Sequence, residues 1–238
     1  MQKVMMAAGL FALAACEPLP QSSQYPSATT TAPVVAEPGP KLSPAAARSA
    51  FYTAEARVEP VAEQICRERT RGANCDFLIS IDTTQGDVAN AYQSRDSQGR
   101  PQITFTSALI NDARNTDELA FVMGHEAAHH ILGHLDQQAQ TATLGAIAGS
   151  LAAQLGGLDE STLSQFGAGI GGRVYSKNYE LQADSLGTEI AIKAGYDPVK
   201  GIGFFSRLPD PGDQFLGSHP ANADRIAAVR ARAAQLGY

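Results

Sequence analysis

The sequence predicts one α+β domain, mainly helical with a small antiparallel sheet, carried behind a targeting segment and a flexible tether. Two observations predict the fold class. The chain has 238 residues, 44% of them hydrophobic and 18% charged, which is enough for one sizeable core. Helix-favouring stretches at 45–70, 119–135 and 179–194 outweigh three short runs of strand character at 77–81, 87–94 and 102–106. A third observation concerns chemistry: four of the five histidines fall between His125 and His134. The formal charge of −6 excludes an ordinary nucleic-acid partner, because phosphate binding needs a basic face that releases counterions.

Residues 1–15 carry one positive charge, Lys3, then an apolar stretch through Leu10, Phe11 and Leu13. This pattern predicts a secretory signal peptide, too short to span a bilayer. The run Leu13-Ala14-Ala15-Cys16 resembles a bacterial lipobox, which implies cleavage before Cys16 and lipidation of its thiol. Each buried CH₂ of the acyl chains contributes about 0.8 kcal/mol, so several chains anchor the protein stably. Glu17 follows, where aspartate is associated with inner-membrane retention, and this points to the outer membrane with the body facing the periplasm. Residues 16–44 are predicted to be a tether: from Glu17 to Pro44 lie seven of the thirteen prolines, and Tyr25 is the only aromatic residue. Such a segment buries too little apolar area to offset its ordering entropy. As a flexible coil it spans roughly 30 Å.

The body, residues 45–238, opens with Ser43 as N-cap and Pro44 in the first turn, and Pro60 is expected to divide the first helix in two. The three strands follow, the second and third separated by turn-forming residues 96–101. Thr116 is the cap candidate for the 119–135 helix, with Asp117 and Glu118 placed to complement its dipole. Residues 139–158 carry no charge, but they are rich in Ala and Gly, and Gln140 and Gln154 are costly in lipid. They read as a helix hairpin, soluble or touching the membrane interface. Gly195 closes the 179–194 helix, and a terminal helix starts near Pro220. Once Cys16 is lipidated, Cys66 and Cys75 remain as a pair; in an exported protein a disulfide is the default, contributing roughly 2–3 kcal/mol.

The decisive constellation is His125-Glu126-Ala127-Ala128-His129. On a helix the two histidines lie about 40° apart, so both imidazoles can reach one zinc ion, with Glu126 beside them as general base. Catalytic zinc needs a third protein ligand and an open position. Leu132 and Leu135 stand where a metzincin has glycine and its third histidine, so that register is excluded. Continued at 100° per residue, the helix turns His134 about 180° from His125 and His130 about 140°, so both are expected to face away, His134 as a surface or supporting histidine. Glu180 and Asp184, at i and i+4 beside the small Ala183, put two carboxylates on one helix face. Glu180 is the candidate metal ligand and Asp184 the carboxylate that orients a ligand histidine.

The order His125-Glu126-x-x-His129, Glu180-x-x-Ala183-Asp184, then Ser218-His219-Pro220 with Arg225 resembles metallopeptidase family 48, the HtpX/Ste-type gluzincins, in their periplasmic BepA-like branch. Asn90-Ala91-Tyr92, Leu109 and His134 extend the match, which runs from about Phe51 to the C-terminus. The resemblance implies a zincin-like domain with one Zn²⁺ per chain and endopeptidase activity on misfolded or stalled envelope proteins. Because 139–172 is Ala/Gly-rich, the integral membrane topology of some members is not expected, and neither is a partner-binding tetratricopeptide repeat domain.

Zinc held by this triad would act as a Lewis acid, with Glu126 accepting the proton of the attacking water. His219, with Arg225 orienting or assisting it, is the candidate donor to the tetrahedral oxyanion. A blocking fourth zinc ligand and a plain helix-start histidine are its alternatives. The 87–94 strand is the candidate edge for pairing with an extended substrate. A second function class is a lipoprotein chaperone or scaffold of outer-membrane assembly that retains the zinc fold; the intact Glu126 favours the enzyme, since a scaffold has no need of a base.

Overall fold

The computed structural model describes residues 39–156, 159, 161, 177–207 and 223–238. All of these belong to one compact unit, Ala36–Tyr238. The signal segment, Cys16, the tether up to residue 38, and His219 lie outside the described residues.

Helix α1 (Pro44–Arg69) starts as expected, with the Ser43 hydroxyl accepting from the Ala46 amide. It runs through Pro60 as a single helix, where two were expected. Pro60 and Ala56, whose carbonyl loses its amide partner, are both exposed, while Ala54, Val58, Ala62 and Ile65 on the other side are buried. On that exposed side solvent can reach the freed carbonyl, and the buried stripe holds the helix together across it. The Cys66–Cys75 disulfide is formed, tying the end of α1 to the segment that enters the sheet.

The sheet has three strands, β1 (Leu78–Asp82), β2 (Ala91–Arg95) and β3 (Pro101–Thr106), in the order β1-β3-β2. Strands β2 and β3 form an antiparallel hairpin with Ala91 opposite Phe105, whereas β1 runs parallel to β3 with Leu78 opposite Gln102. The sheet is therefore mixed, correcting the expectation of antiparallel pairing throughout. The Asp96 carboxylate accepts from the Gln98 and Arg100 amides, and Gly99 sits at φ +79°, so the local turn dictates the β2–β3 pairing. The largely buried β3 takes the centre, and inserting it between its two predecessors makes β1 run parallel to it.

After the short α2 (Ser107–Asp112), helix α3 (Thr116–Ile131) forms the axis of the domain. Its cap is Asn115, whose side-chain oxygen accepts from the Glu118 amide, and Thr116 is the first helical residue rather than the cap. Every residue from Glu118 to Ile131 is buried. Around α3 pack α1, β2, α5 (Lys177–Lys193) and the short α6 (Pro198–Gly201). Buried polar groups on such a helix must find partners inside the protein. The helix stops at Ile131, four residues before the expected end, because Gly133 adopts φ +70° and starts α4 (His134–Gly156) in a new direction. Residues 139–156, expected to turn back as a helix hairpin, instead run without a turn inside the single helix α4, and no described helix is long and apolar enough to cross a membrane. Helix α7 (Ala223–Gln235) packs on α5 and α6. Glu189 on α5 joins three elements by pairing with Arg69 of α1 at 2.7 Å, Arg232 of α7 at 3.0 Å and Lys193 at 3.1 Å.

Candidate metal centre

Helices α3 and α5 cross in backbone contact. A Cβ on Gly187 would stand 2.9 Å from the His125 backbone nitrogen, and one on Gly124 would stand 3.0 Å from the Gly187 carbonyl oxygen. Ala183, one turn earlier, is fully buried. With so little side chain at the crossing, donors on the two helices reach one point without long arms.

His125 Nε2 and His129 Nε2 are 3.0 Å apart. Glu180 places Oε2 at 3.4 Å from His125 Nε2 and Oε1 at 3.5 Å from His129 Nε2. Donors bound about 2.05 Å from a tetrahedral ion must lie about 3.3 Å from one another. Two imidazoles and one carboxylate, all buried at this spacing, therefore fit a single zinc-like ion. Glu126 is buried next to His125 on α3, and its charge reaches Arg225, whose pKa it helps to raise.

Behind the triad lies a second layer of partners. The two nitrogens that matter on His125 are both engaged, with Nδ1 lying 3.0 Å from Asp184 Oδ1. Arg225 donates to Asp184 from Nε at 2.7 Å and from Nη2 at 2.6 Å, and its Nη1 lies 3.2 Å from Glu180 Oε2. Its guanidinium is fully buried over the Phe205 ring, 4.2 Å from the centroid. Arg225 thus serves the two carboxylates, and its expected role beside His219 lies outside the described residues. Burial by itself depresses the His125 pKa, but the hydrogen bonds with Asp184 and Glu180 prevail and push it up to about 9. A metal that binds here must displace that proton. Burial likewise pushes the Asp184 carboxyl up, and the hydrogen bonds from Arg225 and His125 outweigh it and hold the group below its ordinary value.

His134 does not face away. It is fully buried, with Nδ1 2.9 Å from His129 Nδ1 and Nε2 3.2 Å from Gln182 Oε1. The 100° rule fails because α3 ends before this residue, and the left-handed Gly133 turns His134 back onto the site. His130 does turn away: its Nε2 lies 2.8 Å from the Asn74 carbonyl oxygen, and its ring meets Phe77 edge-on. Sequence reasoning also missed Gly124, Gly187 and Gln182. Ala183 and Gly187 at i and i+4 form a small-residue pair that could have flagged the close crossing.

Comparison with known proteins agrees with this arrangement. A Vibrio cholerae serotype O1 protein named as a beta-barrel assembly-enhancing protease is 35% identical over 150 residues, covering 56% of this chain and 31% of its own. The beta-barrel assembly-enhancing protease of Escherichia coli K12 is 27% identical over the same shares. This chain thus spans about a third of the length of those two relatives. Metalloprotease LoiP of E. coli K12 is 26% identical over 218 residues, covering 80% of this chain and 86% of its own. The family model described as peptidase family M48 matches residues 54–233, a stretch that takes in the helices carrying His125, His129 and Glu180, and the chain belongs to that family.

Proposed function

We propose that this chain is a zinc-dependent endopeptidase of the bacterial cell envelope that hydrolyses peptide bonds in misfolded or stalled envelope proteins. The observation that carries this reading is the set of three buried donors 3.0–3.5 Å apart with Glu126 adjoining them. Bound there, zinc supplies Lewis acidity toward a water and a peptide carbonyl. Glu126 takes the proton of the water and delivers it to the leaving amine. Asp184 and Arg225 hold His125 and Glu180 in place. Strand β2 stands at the edge of the sheet among the described strands and packs against α3, so an extended chain can pair with its backbone. Such pairing reads main chain rather than sequence, which suits unfolded substrates, and the names of the relatives support an envelope setting. The test is digestion of casein with and without a chelator, alongside metal analysis of the protein. Glu180→Ala should lose metal and activity together, and Asp184→Ala should lose far less metal; equal loss in both, or none in either, removes Glu180 as the ligand.

His219 is proposed as a donor to the oxyanion. His219→Ala should then keep its metal and lose about 10²–10³ in kcat. A rise in kcat would instead mark His219 as a ligand that blocks the open position. Cys16 is proposed as the lipid-bearing residue that anchors the protein to the outer membrane, where assembly factors are candidate partners. Cys16→Ser should abolish acyl labelling, and unchanged labelling would remove the anchor.

A further inference from the structure

The two candidate ligand histidines have different partners behind them. His125 is backed by a carboxylate, Asp184, that carries an arginine. His129 is backed by His134, a neighbour without a fixed charge. Among the described residues His134 in turn meets His129 through Nδ1, Gln182 through Nε2, and the Tyr179 ring, on which it stacks at 4.6 Å with an 18° interplanar angle. Tyr179 and Gln182 flank Glu180 on α5. One imidazole thus links a ligand on α3 to the segment that supplies the ligand on α5.

The tautomers follow from chemistry. If His129 gives Nε2 to the metal, its proton sits on Nδ1 and must be donated. At 2.9 Å it faces His134 Nδ1, and since one nitrogen of that pair donates, His134 Nδ1 accepts and the proton of His134 is on Nε2. From there it is donated to Gln182 Oε1 at 3.2 Å. The opposite order would put a proton on His129 Nε2 and remove it as a ligand.

We propose that His134 is a positioning residue of the metal centre. It accepts the Nδ1 proton of His129, and by handing its own Nε2 proton to Gln182 it locks both rings in the tautomers that leave His129 Nε2 free for metal. Its ring, stacked on Tyr179, sets the start of α5, and with it Glu180, against His129. The positive-φ glycine before it is what aims it inward. This inference rests on the reading of His125, His129 and Glu180 as a metal site.

Three substitutions in the full chain separate the roles. An asparagine oxygen can stand near the position of Nδ1 and accept from His129, a glutamine reaches the position of Nε2 but withdraws the acceptor that His134 Nδ1 supplies, and phenylalanine keeps only the stacked ring. Zinc affinity by chelator competition is expected to fall about 10–100-fold in His134→Gln and His134→Phe, the usual effect of losing such a partner, and His134→Asn should recover most of it. In zinc-loaded protein with ¹⁵N-labelled histidine, the hydrogen-bonded Nδ1 proton of His129 should persist in the asparagine variant and vanish in the other two. Should the phenylalanine variant fail to fold, Gln182→Ala, at an exposed side chain, supplies the second arm through weakened affinity with an intact stack. Parental affinity in the glutamine variant, or asparagine and glutamine behaving alike, would overturn the inference while leaving the metal site standing. A parent chain that binds no zinc at all would instead overturn the metal-site reading, and this inference with it.

Discussion

Replacing Glu126 with glutamine is expected to lower kcat by about 10²–10⁴-fold, the usual contribution of a positioned general base, while the metal content stays at that of the parent. The amide matches the carboxylate in shape, so the packing of α3 around this buried residue, 2% exposed, is kept. What it lacks is basicity. The three donors that fit the ion are His125, His129 and Glu180, and none of them changes. The isosteric amide keeps the packing, so thermal unfolding of the variant should stay close to that of the parent, which separates this outcome from unfolding. Full turnover in the variant would remove Glu126 as the base, and loss of metal would place it among the ligands.

Arg225→Met is expected to have the largest effect on stability, about 3–5 kcal/mol, because it leaves two buried carboxylates without their shared cation. Asp184 and Glu180 are 0% and 1% exposed, so water cannot take over. For a domain of this size the melting temperature should fall by roughly 6–20 °C. A bound metal ion offsets part of the lost charge, so the fall should be larger after chelation. The effect is also pH-dependent, with a definite sign. Against the upward push of burial, hydrogen bonds from Arg225 and His125 hold the Asp184 carboxyl below its ordinary value of 3.8, so its contribution is complete above that value and is lost as the pH falls through the lower, folded-state pKa. The gap between variant and parent, followed by thermal unfolding, should therefore be full at neutral pH and narrow in strong acid. A methionine variant as stable as the parent at pH 7 would show that the cation is dispensable.

How much of this was legible in the chain itself depended on the range of the determining interaction. The His125–His129 pair, the Glu180–Asp184 pair and the mainly helical class were readable because each is set by spacing along one helix. The Cys66–Cys75 pairing was readable because the cysteines sit nine apart with no competitor once Cys16 is assigned to lipid. Pro60 misled because whether a proline breaks a helix depends on which side meets water, and burial is a property of the packed molecule. The parallel β1–β3 pairing was not local either: the hairpin turn specifies β2 with β3, while the place of β1 follows from β3 being the strand that the core buries.

His134 shows the boundary most clearly. Its identity was plain in the sequence, and the 3.6-residue period placed it on the wrong side because one glycine at φ +70° resets the direction of the chain. In the same way, sequence supplied the donors of the candidate metal centre, two imidazoles and a carboxylate. Only the tertiary structure decided that they meet, because that depends on Gly124 and Gly187 letting two helices touch backbone to backbone and on Arg225, from a third helix, neutralising the carboxylates that the crossing buries.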